Sequence, residues 1–221
     1  MENKTKLTEV VFILDRSGSM QGFEDDTIGG FNSTIESQRN ANCDGKVLVS
    51  TVLFDNETEV IHDRVDIEKI EKLTRKDYLV RGCTALFDAI GGAINHIGNI
   101  HKYARKEDVP SSTIFVIITD GMENASHIYS SKKVKEQIKR QQTKYGWEFI
   151  FLGANIDSAE TAESIGIARE RAVDYCMDRE GFKASYGSVN CAIASVRKTG
   201  SMSKKWRAAL DNDNERRKKK S

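Results

Sequence analysis

Two unbroken apolar runs, each stopped by an aspartate, constrain this chain more than any other feature. Residues 9–14 (Glu-Val-Val-Phe-Ile-Leu) end at Asp15, and residues 113–118 (Thr-Ile-Phe-Val-Ile-Ile) end at Thr119-Asp120-Gly121. A short run with β-branched members and no polar alternation is the pattern of a strand covered on both faces, as in parallel sheets flanked by helices. The segments between fit that reading. Ile28, Phe31 and Ile35 recur at helical spacing to about Arg39, across Gly29 and Gly30, which suggest close packing on a sheet. Residues 46–54 and 58–62 flank Asp55-Asn56-Glu57 and predict an antiparallel hairpin.

The clearest helix is expected from Ala85 to Tyr103, where Leu86, Ala89, Ile90, Ala93, Ile94 and Ile97 form one apolar stripe. Further on, the pattern predicts a polar helix at 130–144, a strand at 147–152, a short helix at 158–165 and a weak strand at 172–175. A last amphipathic helix at 178–198 carries Phe182, Tyr186, Val189, Ile193 and Val196. Strands alternating with helices imply an α/β, doubly wound, Rossmann-like fold. Its sheet is mostly parallel, with one short antiparallel edge strand and helices on both faces. Ligands of such sheets bind outside the carboxyl ends of the strands, so functional residues should follow strand ends.

Composition narrows the class. With 221 residues, 38% apolar and 30% charged, the chain can bury one sizeable core, and no apolar run approaches a bilayer span. The first residues, Met1 to Lys6, lack a secretory signal pattern, so a cytoplasmic protein with no membrane contact is expected. Cys43, Cys83, Cys176 and Cys191 form no CxxC pair and read as reduced thiols. His62, His96, His101 and His127 lack zinc-hydrolase spacing. Residues 204–221 hold eight Lys/Arg against three Asp/Glu, which leaves residues 1–203 at −4 within an overall +1. The expected organisation is an α/β domain over 1–203 and a basic, flexible tail over 204–221. Arg216 to Lys220 in that tail offer a nucleic-acid contact, although a solvated end is the commoner role of such a run.

The chemistry converges on the strand ends. Asp15-Arg16-Ser17-Gly18-Ser19 follows the first run, Asp120 follows the second, and Arg81-Gly82-Cys83-Thr84 precedes the long helix. Two carboxylates and three hydroxyls suit a hard divalent cation, and Mg²⁺ in particular keeps waters and takes few direct protein ligands. With two formal negative charges around it, the ion remains able to accept a carboxylate from another molecule. Thr84 alone also reads as an N-cap of the following helix. Glu123 and Asn124 could shape the rim of the site, although a solvated loop is the commoner reading, and Asp88 reads as a surface or capping residue.

This combination resembles von Willebrand factor A domains with a metal-ion-dependent adhesion site. Their signature is Asp-x-Ser-x-Ser, then a distant Thr, then a distant Asp before Gly. Asp15, Ser17, Ser19, Thr84 and Asp120 fill all five positions, and the likeness runs from residue 9 to about 175. The resemblance implies that Ser17, Ser19 and Thr84 bind the metal directly while Asp15 and Asp120 act through waters. It implies Mg²⁺, with Mn²⁺ or Ca²⁺ as alternatives. It also implies a non-catalytic module whose protein partner supplies an Asp or Glu carboxylate, an AAA+ ATPase being one such partner among prokaryotic relatives. Within the family the chain looks most like small cytosolic bacterial or phage-borne members; Cys83 stands where many relatives have glycine. The competing reading is a Mg²⁺-dependent hydrolase or phosphotransferase with Asp15 as nucleophile. Phosphatases of the haloacid dehalogenase type need a second carboxylate two residues later, where this chain has Ser17.

Overall fold

The computed structural model describes residues 6–219. The N-terminal segment Met1–Thr5 and the end of the basic run, Lys220, lie outside them. In chain order the elements are β1 (Leu7–Asp15), α1 (Glu24–Arg39), β2 (Lys46–Phe54), β3 (Thr58–Asp66), α2 (Leu86–Tyr103) and β4 (Ser112–Thr119). There follow α3 (Ser131–Tyr145), β5 (Glu148–Gly153), α4 (Ser158–Ser164), β6 (Ala172–Asp174), α5 (Arg179–Thr199) and α6 (Ala208–Lys218). They build one sheet in the order β3-β2-β1-β4-β5-β6, parallel throughout except for β3, which runs antiparallel to β2.

Alternation along each buried strand divides the core in two. Val10, Phe12 and Leu14 of β1, with Ile114, Val116 and Ile118 of β4, meet Phe31 and Ile35 of α1 and Val189 and Ile193 of α5. Val11, Ile13, Phe115 and Ile117 point the other way, onto Ile90, Ile94 and Ile97 of α2 and Val134 and Ile138 of α3. Both faces being covered explains why these strands carry no polar alternation. The chain runs outward from β1 to β2 and β3, then crosses back through α2 to β4 on the other side of β1. The carboxyl ends of β1 and β4 therefore flank the crevice at which the strand order reverses.

Three details differ from the sequence reading. The edge strand β3 is nine residues long instead of stopping at His62; its register shifts opposite Thr51, and Arg64 takes a positive φ of 52°. Gly30 makes room for a helix neighbour and not for the sheet, since a Cβ there would lie 2.1 Å from the ring of Tyr186 in α5. The expected flexible tail instead folds over residues 208–218 into α6 against α5. Trp206 and Leu210 supply buried apolar anchors, and the indole N–H of Trp206 donates to the Glu170 carbonyl at 3.1 Å. Charge completes the docking. Buried Asp213 pairs with Arg216 and Arg217 at 2.6 Å each, and Arg217 also binds Asp178, the N-cap of α5. A basic tail folds here because its arginines find acids on α5 and within α6 itself. Among the described residues no helix is long and apolar enough to cross a membrane.

Candidate metal centre

Asp15 is the last residue of β1, and its position is fixed from three sides. One carboxylate oxygen accepts the Ser17 N–H at 2.7 Å and the other accepts the Thr119 hydroxyl at 2.5 Å, while its carbonyl accepts the Tyr78 hydroxyl. The first of these bonds curls the chain into a tight turn, which brings Ser17 and Ser19 side by side with their hydroxyls 3.1 Å apart. Ser19 then donates to Asp120 Oδ1 at 2.6 Å. Thr84 arrives on a separate loop: a Cβ placed on Gly121 would stand 2.7 Å from its hydroxyl and 3.5 Å from that of Ser19. Only glycine at 121 lets the threonine come so close. Asp15, Ser17, Ser19, Thr84 and Asp120 are thus gathered at one sheet edge, with Ser19 at the exposed mouth and the others almost fully buried.

The loops are also tied to one another. Gly18 N–H donates to the Gly82 carbonyl at 3.0 Å, and Arg81 N–H to the Arg16 carbonyl at 2.8 Å. Buried Asp55, just beyond β2, receives Arg16 Nε at 2.8 Å and Arg81 Nε at 2.9 Å, and its carbonyl accepts the Ala85 N–H at 2.8 Å. Burial would raise the Asp55 carboxyl, but Arg81, the Glu57 N–H and Arg16 outweigh it and hold it below the usual range. One carboxylate therefore anchors both the Ser17 loop and the Thr84 loop.

Glu123, half-buried, and Asn124, exposed, lie on a loop at the rim of the site and bind backbone N–H groups there. Asn124 Oδ1 accepts the Thr84 N–H at 2.9 Å, and Glu123 accepts Phe87 N–H at 2.9 Å in the first turn of α2. The cap of that helix is Ala85, with no side-chain cap bond, so Thr84 is not its N-cap. Asp88 takes the capping role expected of it, accepting backbone N–H groups of His127, Ile128 and Tyr129. Sequence reasoning missed Asp55, Arg16, Arg81 and Tyr78; these residue types carry no spacing that marks a scaffold.

The electrostatics suit a cation. Asp120 is pushed up to about 6, chiefly by burial and further by the negative charge of Asp15, against the hydrogen bond from Ser19. Burial also raises Asp15, offset in part by Thr119 and Ser17. Asp120 Oδ2 is buried and has no hydrogen-bond partner. An acceptor removed from water and left unpaired costs about 1–3 kcal/mol, more when charged. A cation among these oxygens would relieve both that penalty and the repulsion between the carboxylates. The donor set, two carboxylates and three hydroxyls, also fits a hard divalent ion. Among the described residues no group of three or more His, Cys, Asp or Glu side chains is arranged to hold a metal.

A Rossmann-like sheet with an oxygen-lined crevice at its switch point is the class that fold and site define. Residues 9–184 match the model of the von Willebrand factor type A domain, and the chain belongs to that family. Similar solved structures include proximal thread matrix protein 1 from the mussel byssus with a zinc-occupied metal-ion-dependent adhesion site. It is 13% identical with a TM-score of 0.57, over 89% of this chain and 47% of that one. A von Willebrand factor type A protein from Catenulispora acidiphila is 12% identical with a TM-score of 0.56, over 86% of this chain and 43% of that one. At these identities the likeness is one of fold, and this chain spans less than half the length of either structure. The comparison with curated proteins finds no match.

Proposed function

We propose that this chain is a non-catalytic, divalent-metal-dependent protein-binding module. The observation that carries the reading is the buried, unpartnered Oδ2 of Asp120, whose other oxygen accepts the Ser19 hydroxyl in a cluster of two carboxylates and three hydroxyls. Ser17, Ser19 and Thr84 would bind the ion directly, and Asp15 and Asp120 would hold its waters. Mg²⁺ suits a site with few direct protein ligands, and the zinc in the mussel protein's site supports the divalent class. When bound, the ion supplies an electrophilic position for an Asp or Glu carboxylate of the partner. An AAA+ ATPase as that partner, and a cytoplasmic setting, are carried by the resemblance and the composition alone.

Asp15 is poorly suited to act as a nucleophile, because both its oxygens already accept hydrogen bonds and it is 1% exposed. The binding reading is therefore favoured over the hydrolase. Its test is thermal unfolding in millimolar Mg²⁺ and in chelator. A ligand at 100 Kd that binds only the native state adds about 2.7 kcal/mol, so a higher midpoint with Mg²⁺ is expected, and identical midpoints would sink the reading.

A further inference from the structure

Charge on this molecule is segregated. Residues 1–203 total −4, yet α3 alone holds six Lys/Arg against Glu136, a net +5, so the rest of that body carries −9. The C-terminal basic run differs from α3 in its pairing. In α6, Arg216 and Arg217 are taken up by Asp213, Asp178 and Glu180. Among the described residues no Asp or Glu side chain pairs with a cation of α3. Half-buried Lys135 donates to the Glu163 backbone carbonyl at 3.1 Å; the other five cations are exposed.

Val134, Ile138 and Gln141 face the core, which turns Lys132, Lys139 and Arg140 to solvent with Lys133 and Lys144 beside them. From Lys132 to Lys144 this stripe runs about 18 Å at 1.5 Å per residue, the length of about five phosphates on a stacked strand at 3.4 Å each. Aromatic rings stand among the charges. Tyr145 at the end of α3 is 51% exposed and Tyr103 at the end of α2 is 77% exposed. The two helix ends are neighbours, since Lys102, Arg140 and Tyr145 border one cleft between them. Lys144 Nζ lies 5.3 Å from the centre of the Tyr145 ring, and Lys102 Nζ 4.8 Å from that of Tyr103. A neutral ring attracts a lysine head but leaves its charge in place.

We propose that the outer face of α3, with the adjoining end of α2, binds single-stranded nucleic acid. Phosphates meet Lys132, Lys139, Arg140 and Lys144, and unpaired bases stack on Tyr145 and Tyr103, a combination that holds a strand without reading its sequence. The rings decide the class of partner. An acidic peptide would use the cations and leave the tyrosines idle. An anionic bilayer calls for apolar side chains that enter it, and neither α2 nor α3 exposes a large aliphatic one. Nothing in the metal centre takes part, so binding persists in chelator.

The experiment is fluorescence anisotropy of a labelled oligo(dT) strand of about 20 nucleotides, titrated with the full chain in chelator at about 50 mM salt and above. A micromolar Kd at the lowest salt is expected, with a slope of log affinity against log salt of about −3, from four phosphate contacts at about 0.7 each. Lys139→Ala combined with Arg140→Ala should flatten that slope by about 1.4. Both side chains are exposed and free of acidic partners, so the melting temperature should hold. Tyr145→Ala should cost about fivefold or more in affinity, and Tyr145→Phe, which keeps the ring, should restore it. Lys218→Ala combined with Lys219→Ala, at the end of α6, should change nothing. No anisotropy change up to about 100 μM protein, the weak end of non-specific binding, would overturn the proposal. So would wild-type affinity in Tyr145→Ala, or a loss confined to the Lys218 and Lys219 variant. Polyglutamate that displaces the strand at equal charge would reduce the face to an acidic-peptide site. Tighter binding to phosphatidylserine vesicles than to the strand would make it a membrane surface.

Discussion

Ser19 donates its hydroxyl to Asp120 across 2.6 Å, joining two strand ends that are 101 residues apart in sequence. The bond satisfies one oxygen of Asp120 and leaves the other buried and unpaired. Asp120→Ala should therefore remove two opposing things at once, an electrostatic liability and a metal anchor. The variant is expected to match or exceed the wild-type midpoint in chelator and to lose most of the gain in Mg²⁺. A variant that still gains as much from Mg²⁺ as the wild type would show that the ion sits elsewhere.

Gly121→Ala tests the close approach of Thr84. The added Cβ would stand 2.7 Å from the threonine hydroxyl, a distance that forces Thr84 aside. Overpacking of this kind typically costs about 1–3 kcal/mol. Calorimetry should record at least a tenfold loss of Mg²⁺ affinity with the fold intact, and wild-type affinity would mean that Thr84 is not a ligand.

Thr84→Ala separates metal from partner. If the partner's carboxylate completes the ion's shell, the change should weaken partner binding, measured with Mg²⁺ fixed at saturation, by more than it weakens Mg²⁺ binding, measured separately by titrating the ion. Replacing the partner's Asp or Glu by Ala should reproduce the loss. Partner affinity unaffected by Thr84→Ala, or surviving chelation, would move the docking surface away from the metal.

How much of this was legible in the sequence depends on the kind of interaction. The strands at 9–14 and 113–118 were readable because burial on both faces leaves an unbroken apolar run, and the site beyond them was readable because a fixed spacing puts Asp15, Ser17 and Ser19 on one loop while Thr84 and Asp120 follow at a helix start and a strand end. Asp55, Glu123 and Asn124 were not. Each works through a long-range contact or a backbone N–H, for which any loop carboxamide or carboxylate looks the same in sequence. Residues 204–218 misled for a related reason: their net charge suggested solvent, while Trp206, Leu210 and the pairing of Arg217 with Asp178 and Asp213 were matters of tertiary contact.

Those pairs make the docking of α6 sensitive to acid. Burial would raise the Asp213 carboxyl, but Arg217 and Arg216 more than compensate and hold it below 3.8; Arg217 lowers Asp178 likewise. A carboxyl whose native pKa is depressed binds fewer protons folded than unfolded, so its contribution is present above 3.8 and is lost as pH falls below it. Trp206 emission, recorded in a Trp147→Phe background, should shift to the red below about pH 4, ahead of global unfolding. Emission that changes only together with the far-ultraviolet signal of the whole domain would mean that these pairs do not control the docking.

Removing Asp55 should be among the more damaging single changes. Arg16 is 3% exposed, and Asp55→Ala leaves its guanidinium with Glu59 alone. Breaking a buried ion pair costs about 3–5 kcal/mol, which urea unfolding would register as a lower midpoint. A loss under about 1 kcal/mol, the scale of surface pairs, would mean that Arg16 re-pairs without strain.

The same carboxylate sets a timescale. Because Asp55 holds the Ser17 loop through Arg16 and the Thr84 loop through Arg81, and its backbone carbonyl fixes Ala85, neither loop must be ordered when an ion arrives. Little conformational entropy is then surrendered on capture. The rate at which the centre fills would be governed by how fast the hydrated ion sheds water, and stopped-flow traces would show one concentration-dependent phase with no slower loop rearrangement behind it.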